Sequence, residues 1–226
     1  MLPLACLMLQ SMNRAARSLL LVPVLLLALG CDSVTPADAV RLMEDRHSAD
    51  ARREGIADLS SRFAFARVPP YTSRYQQIAK SDPDYTVRAM AIRALNISRD
   101  ASATPIFIAA LDDDAEPVRL EGAKALANVP DPAAVPGLLR LVRGVRETVV
   151  DGHPSTSQED RDVRIAAADA LRHYPTLDVE RSLVGYLSEG EFGVAWQARQ
   201  SLVALTGQDI LYDEAAWLAY LVRTGM

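Results

Sequence analysis

Beyond residue 31 the chain contains no cysteine; its only two, Cys6 and Cys31, fall in the first 31 of 226 residues. The rest of the chain therefore has no internal disulfide, no thiol nucleophile and no cysteine-ligated metal, so its stability must come from packing. Aromatic residues are scarce, at 6%, while half of all residues are apolar, with alanine and leucine abundant. That balance disfavours a sandwich filled with Tyr, Phe and Val, and favours helices packed through small side chains. Histidine is nearly absent as well: His47, His153 and His173 stand alone, outside any H-E-x-x-H or C-x-x-C pattern. With no glycine-rich phosphate loop and no G-x-S-x-G, we expect no catalytic residues, no cofactor, no metal and no small-molecule substrate.

No apolar run approaches the roughly 20 residues needed to span a bilayer as a helix. The longest, Leu19 to Leu29, has eleven residues and includes Pro23. It follows Arg14 and Arg17, the only charges in the first 31 residues, and has the form of an export signal. The stretch Ala28-Leu29-Gly30-Cys31 resembles the lipobox of bacterial lipoproteins, although Ala28 stands where leucine is commoner. The resemblance implies a signal peptide over 1–31, acylation of Cys31, a membrane anchor and an envelope location, on the periplasmic side or the cell surface. A chain starting at Cys31 has 22 basic against 29 acidic residues, a net charge near −7. That excess argues against a nucleic-acid partner and against electrostatic adhesion to anionic lipid.

What the sequence does have is a repeat. DYTVRAMAIRAL from Asp84, AEPVRLEGAKAL from Ala115, DRDVRIAAADAL from Asp160 and EFGVAWQARQSL from Glu191 align, with SADARREGIADL from Ser48 a weaker copy. The aligned valines or their equivalent, Ala51, Val87, Val118, Val163 and Val194, are 36, 31, 45 and 31 residues apart. Apolar residues at 0, +4, +7 and +8 form one stripe of an α-helix, and the alanine or glycine at +4 and +7 permits close helix approach. Second helices are predicted over Thr104 to Leu111, Ala133 to Val142, Asp178 to Leu187 and Glu214 to Val222.

The pattern DxxVRxxAxxAL, a short turn, then PxLxxxL resembles HEAT-like repeats of the short bacterial type. The resemblance implies an all-α, right-handed α-α superhelix of about five helical hairpins over 47–226, behind a tether at 32–46. It also implies VR-bearing helices on the concave side, with Arg52, Arg88, Arg119 and Arg164 in a structural ladder that stops at Ala195. The extra residues near 148–159, with Gly152, Pro154, Ser155, Thr156 and Ser157, read as a surface loop.

Such repeats serve unrelated functions, so the fold does not name one. The expected function is a non-enzymatic, lipid-anchored scaffold that binds a protein partner on the concave face. Positions +2, +5 and +6 of the VR helices turn away from the stripe, which selects Arg53, Ile92, Arg93, Leu120, Lys124, Ile165, Trp196 and Arg199 as candidate contacts. This mixture of basic and apolar side chains on an acidic protein points to an acidic or extended protein segment. Two alternatives remain: an enzyme or accessory subunit related to HEAT-like lyases, and a purely structural envelope spacer.

Overall fold

The computed structural model describes residues 34–150 and 152–225, so the leader and Cys31 lie outside the described residues. Residues 36–226 form one compact unit. Its helices are α1 (Pro36–Met43), α2 (Ala49–Arg62), α3 (Tyr71–Ser81), α4 (Tyr85–Ser98), α5 (Thr104–Ala110) and α6 (Glu116–Asn128). They continue with α7 (Val135–Arg143), α8 (Arg161–Ala170), α9 (Leu177–Val184), α10 (Phe192–Thr206) and α11 (Glu214–Thr224). The result is an all-α solenoid, as the repeat implied.

Helix starts follow their local chemistry. Ser48, Asp84, Asp160, Thr176 and Asp213 each accept a backbone N–H of the first turn. Pro105, Pro117 and Pro136 sit in first turns, where the missing N–H has no intrahelical partner to lose.

The VR-bearing helices α2, α4, α6, α8 and α10 pack on one another in succession and form one layer. Each also packs closely on the helix before it, giving five hairpins: α1/α2, α3/α4, α5/α6, α7/α8 and α9/α10. Successive outer helices touch far less, so the stack is tightest along the VR layer. The core is the stripe itself: Val87, Ala91, Ala94 and Leu95, with Val163, Ala167, Ala170 and Leu171, are all fully buried. Ser201, which breaks the apolar pattern at +7, is buried too and donates to the Ala168 carbonyl at 2.7 Å.

Three elements differ from the sequence expectation. Residues 32–46, expected as a tether, contain α1, whose Ala39 and Met43 are buried as an i, i+4 pair. The solenoid therefore begins before residue 47. Helix α3, which follows the weakest copy of the repeat, had no counterpart among the expected second helices. The inserted segment is an antiparallel hairpin rather than an irregular loop, with β1 (Val145–Val150) paired to β2 (His153–Gln158) and Gly152 at φ +79° in the turn. A positive φ is what a two-residue hairpin turn demands, and glycine supplies it without strain.

Candidate functional site

The arginine at +1 of the first four repeats is an internal staple. Arg52 donates from Nε and Nη2 to Asp82 at 2.8 and 2.9 Å, and Arg88 does the same to Asp113 at 3.0 and 2.8 Å. Arg119 reaches Glu159 at 2.9 and 2.7 Å, and Arg164 reaches Glu189 at 2.6 Å. Each acid stands just before the next VR helix. Asp82, Asp113 and Glu159 also accept a backbone N–H there, from Asp84, Ala115 and Asp160. Each arginine further donates to backbone carbonyls at the end of its hairpin's first helix or just after it: Asp45 for Arg52, Asp82 and Pro83 for Arg88, Asp113 and Asp114 for Arg119, Val142 for Arg164. One guanidinium thus ties two consecutive helix junctions, a use suited to its rigid fork. The bidentate carboxylates hold Arg52 and Arg88 even more firmly protonated than usual. These groups are consumed by structure, and Ala195 ends the ladder.

The candidate contacts divide. Ile92 is buried in the core, as are Ala123 and Ala168 at the same +5 position. The +5 side chain turns inward because a solenoid helix is covered by its outer partner and by inner neighbours on both flanks, which widens the buried arc beyond a single stripe. Arg53 is committed locally, donating to Thr86 Oγ1 at 3.3 Å and pairing with Asp50 at 2.8 Å. Arg199 pairs with Asp209 and lies over the Tyr212 ring, 5.4 Å from its centroid.

Arg93, Leu120, Lys124 and Ile165 share one surface. A hollow of about 180 Å³ is lined by Thr86, Met90, Arg93, Pro117, Leu120 and Glu121. A second, of about 410 Å³, is lined by Leu120, Lys124, Asp162, Ile165, Asp169 and Gln197. Leu120 borders both, and the trough that the two hollows outline lies over α4, α6, α8 and α10. Arg93 is exposed and has no ion-pair partner among the described residues; Lys124 is exposed and held only by Glu121 at 3.3 Å. Position +3, which supplies Met90, Glu121 and Gln197 to the trough, was not among the positions selected from the sequence. Trp196, next to Gln197 on α10, lines neither hollow and is 45% exposed. Among the described residues, no group of three or more His, Cys, Asp or Glu is placed to hold a metal ion.

The HEAT repeat family matches residues 73–151, which places HEAT-like repeats in this chain. In fold, the chain is similar to a chain in the complex of CpcE and CpcF of phycocyanin lyase from Nostoc sp. PCC7120. The TM-score is 0.63 at 20% identity, covering 86% of this chain and 71% of that one. It is also similar to an engineered protein solved by the Northeast Structural Genomics Consortium, with TM-score 0.53 and 19% identity over 84% of this chain and 85% of that one. At such identities the likeness is one of fold. No curated protein matches the sequence.

Proposed function

We propose that the chain is a non-enzymatic scaffold, anchored in the bacterial cell envelope through lipid on Cys31, that binds a protein segment along its VR-bearing layer. The observation that carries the reading is the trough outlined by the two hollows that share Leu120. It pairs the half-buried apolar side chains of Leu120 and Ile165 with the exposed Arg93 and Lys124 on a protein of net negative charge. An extended segment with acidic groups and a few apolar side chains complements it. The lipobox-like leader supports the anchor, since stable attachment needs two or more acyl chains or an equivalent second signal. The phycocyanin lyase likeness leaves a lyase-related accessory role as the second reading.

The test uses the full chain in cells, with crosslinking to define the captured partner. Replacing Leu120 and Ile165 together with Ala should weaken that capture by about tenfold or more, as expected for central apolar anchors, while membrane attachment is unchanged. Cys31→Ala should do the opposite, releasing the chain from the membrane fraction. Unaltered capture by the Leu120/Ile165 variant contradicts the trough as the binding surface.

A further inference from the structure

Because successive outer helices touch so little, the stack is splayed on that side, and a hollow opens beside the arginine ladder at three successive junctions. Between the first two hairpins, in a hollow of about 360 Å³, the charges beyond the ladder pair balance, Arg46 and Arg74 against Glu44 and Asp45. Between the second and third, in about 450 Å³, the ladder groups leave one further charge, Lys80. The third hollow, of about 380 Å³, differs: Arg140, Arg143 and Arg146 line it against Asp112. Glu159 lines it too, but its two oxygens are spent on Arg119, which lies outside the lining.

Local structure brings the three arginines together. Arg140 and Arg143 fall in the last turn of α7, three residues apart and so on one side of the helix. Arg146 comes from β1 of the hairpin inserted at this junction, whose base is fixed by the Glu159 amide donating to the Gly144 carbonyl at 2.8 Å. Arg143 is exposed and has no ion-pair partner among the described residues. The other two are loosely held. Arg140 pairs with Asp112, whose side chain is 69% exposed, and Arg146 donates to the Asp114 carbonyl at 3.3 Å with the fully exposed Asp114 carboxylate 3.8 Å away. Exposed pairs of this kind contribute little, so an anion of higher charge can displace them. Leu111, Leu141 and Val145 supply apolar surface to the same hollow.

We propose that this third hollow binds a phosphate monoester, its phosphate held by Arg140, Arg143 and Arg146 and its apolar body lying against Leu141 and Val145. Such a phosphate carries about −1.5 to −2 charge at neutral pH and three strong acceptor oxygens, matching three guanidinium donors. A single carboxylate would only replace Asp112 charge for charge. The hairpin insertion thereby acquires a role, since it delivers the third arginine. The site is separate from the trough, with which it shares no lining residue.

Isothermal titration of the full chain in dodecyl maltoside micelles and phosphate-free buffer, with phenyl phosphate as the probe, tests the proposal. Saturable one-to-one binding with a dissociation constant below about 1 mM is expected. Arg143→Gln, at a position too exposed to unsettle the fold, should weaken it about tenfold or more, as the loss of a charged hydrogen-bond donor does. Lys80→Gln, in the second hollow, should leave it unchanged. Benzoate lacks the second charge and inorganic phosphate lacks the apolar body, so each should bind about tenfold or more weaker than phenyl phosphate. Absence of saturable binding, an Arg143→Gln chain that binds like the wild type, an equal loss in Lys80→Gln, or benzoate or inorganic phosphate binding as tightly as phenyl phosphate would each overturn it.

Discussion

Arg119→Ala should lower the unfolding free energy of the solenoid by about 3–5 kcal/mol, because it strands the carboxylate of Glu159 in the interior. Both side chains of this pair are nearly fully buried, at 6% and 1% exposure, and they join residues 40 apart across the hairpin insertion. The same change frees the Asp113 and Asp114 carbonyls that Arg119 also satisfies. Arg88→Ala should be milder, since its pair with Asp113 is 19% and 18% exposed and water can solvate the orphaned acid. Replacing Arg119 with Met and Glu159 with Leu together should recover part of the loss, because an apolar pair carries no charge-desolvation penalty but leaves the Asp113 and Asp114 carbonyls and the Asp160 amide without those partners. Thermal or urea unfolding followed by circular dichroism reads all three. Equal losses for Arg88→Ala and Arg119→Ala would mean that burial does not set the strength of the ladder.

Gly55→Ala should have the next largest effect, concentrated at one end of the stack. A Cβ at this position would lie 2.3 Å from the Met43 amide nitrogen and 2.5 Å from the Ala39 carbonyl oxygen, both backbone atoms of α1 that cannot swing aside. The backbone of α1 thus rests directly on α2, and a single methyl group must push the helix away. Overpacking of this kind costs about 1–3 kcal/mol. Here it should appear chiefly as faster proteolysis within 36–47, with the rest of the solenoid melting almost as before. Gly190→Ala is the control, since nothing lies within 4 Å of the added Cβ. Wild-type protease resistance in Gly55→Ala would show that α1 does not dock as described.

The repeat and its buried stripe were legible because they depend on residues at fixed spacing, and the arginine ladder was implied by the HEAT-like resemblance of those repeats. Arg52, Arg88, Arg119 and Arg164 recur at +1, and the structure supplies the acids that meet them. Helix α1 was not legible: eight residues carry too little periodicity, and the clue, Gly55 at +4 of the weakest copy, has meaning only once a neighbouring backbone is known. The hairpin left a trace in the Asp151-Gly152 dipeptide beside a run of Val and Thr, a recognised two-residue turn signal. The serines, threonine and proline of β2 obscured it. Ile92 was misplaced because a single helical wheel has one buried face, whereas a helix inside a layer has neighbours on both flanks. The trough was half legible, as Arg93, Leu120, Lys124 and Ile165 were selected, while Met90, Glu121 and Gln197 at +3 were not.

Site-specific photocrosslinking in intact cells tests most directly whether the VR-bearing layer binds a partner. A photoreactive side chain would be placed in turn at Leu120, at Ile165 and, on the outer layer, at Arg181, an exposed position on α9. Binding along the trough predicts the same discrete protein adduct from Leu120 and Ile165 and none from Arg181. Adducts of equal yield from all three positions, or the strongest adduct from Arg181, would contradict it.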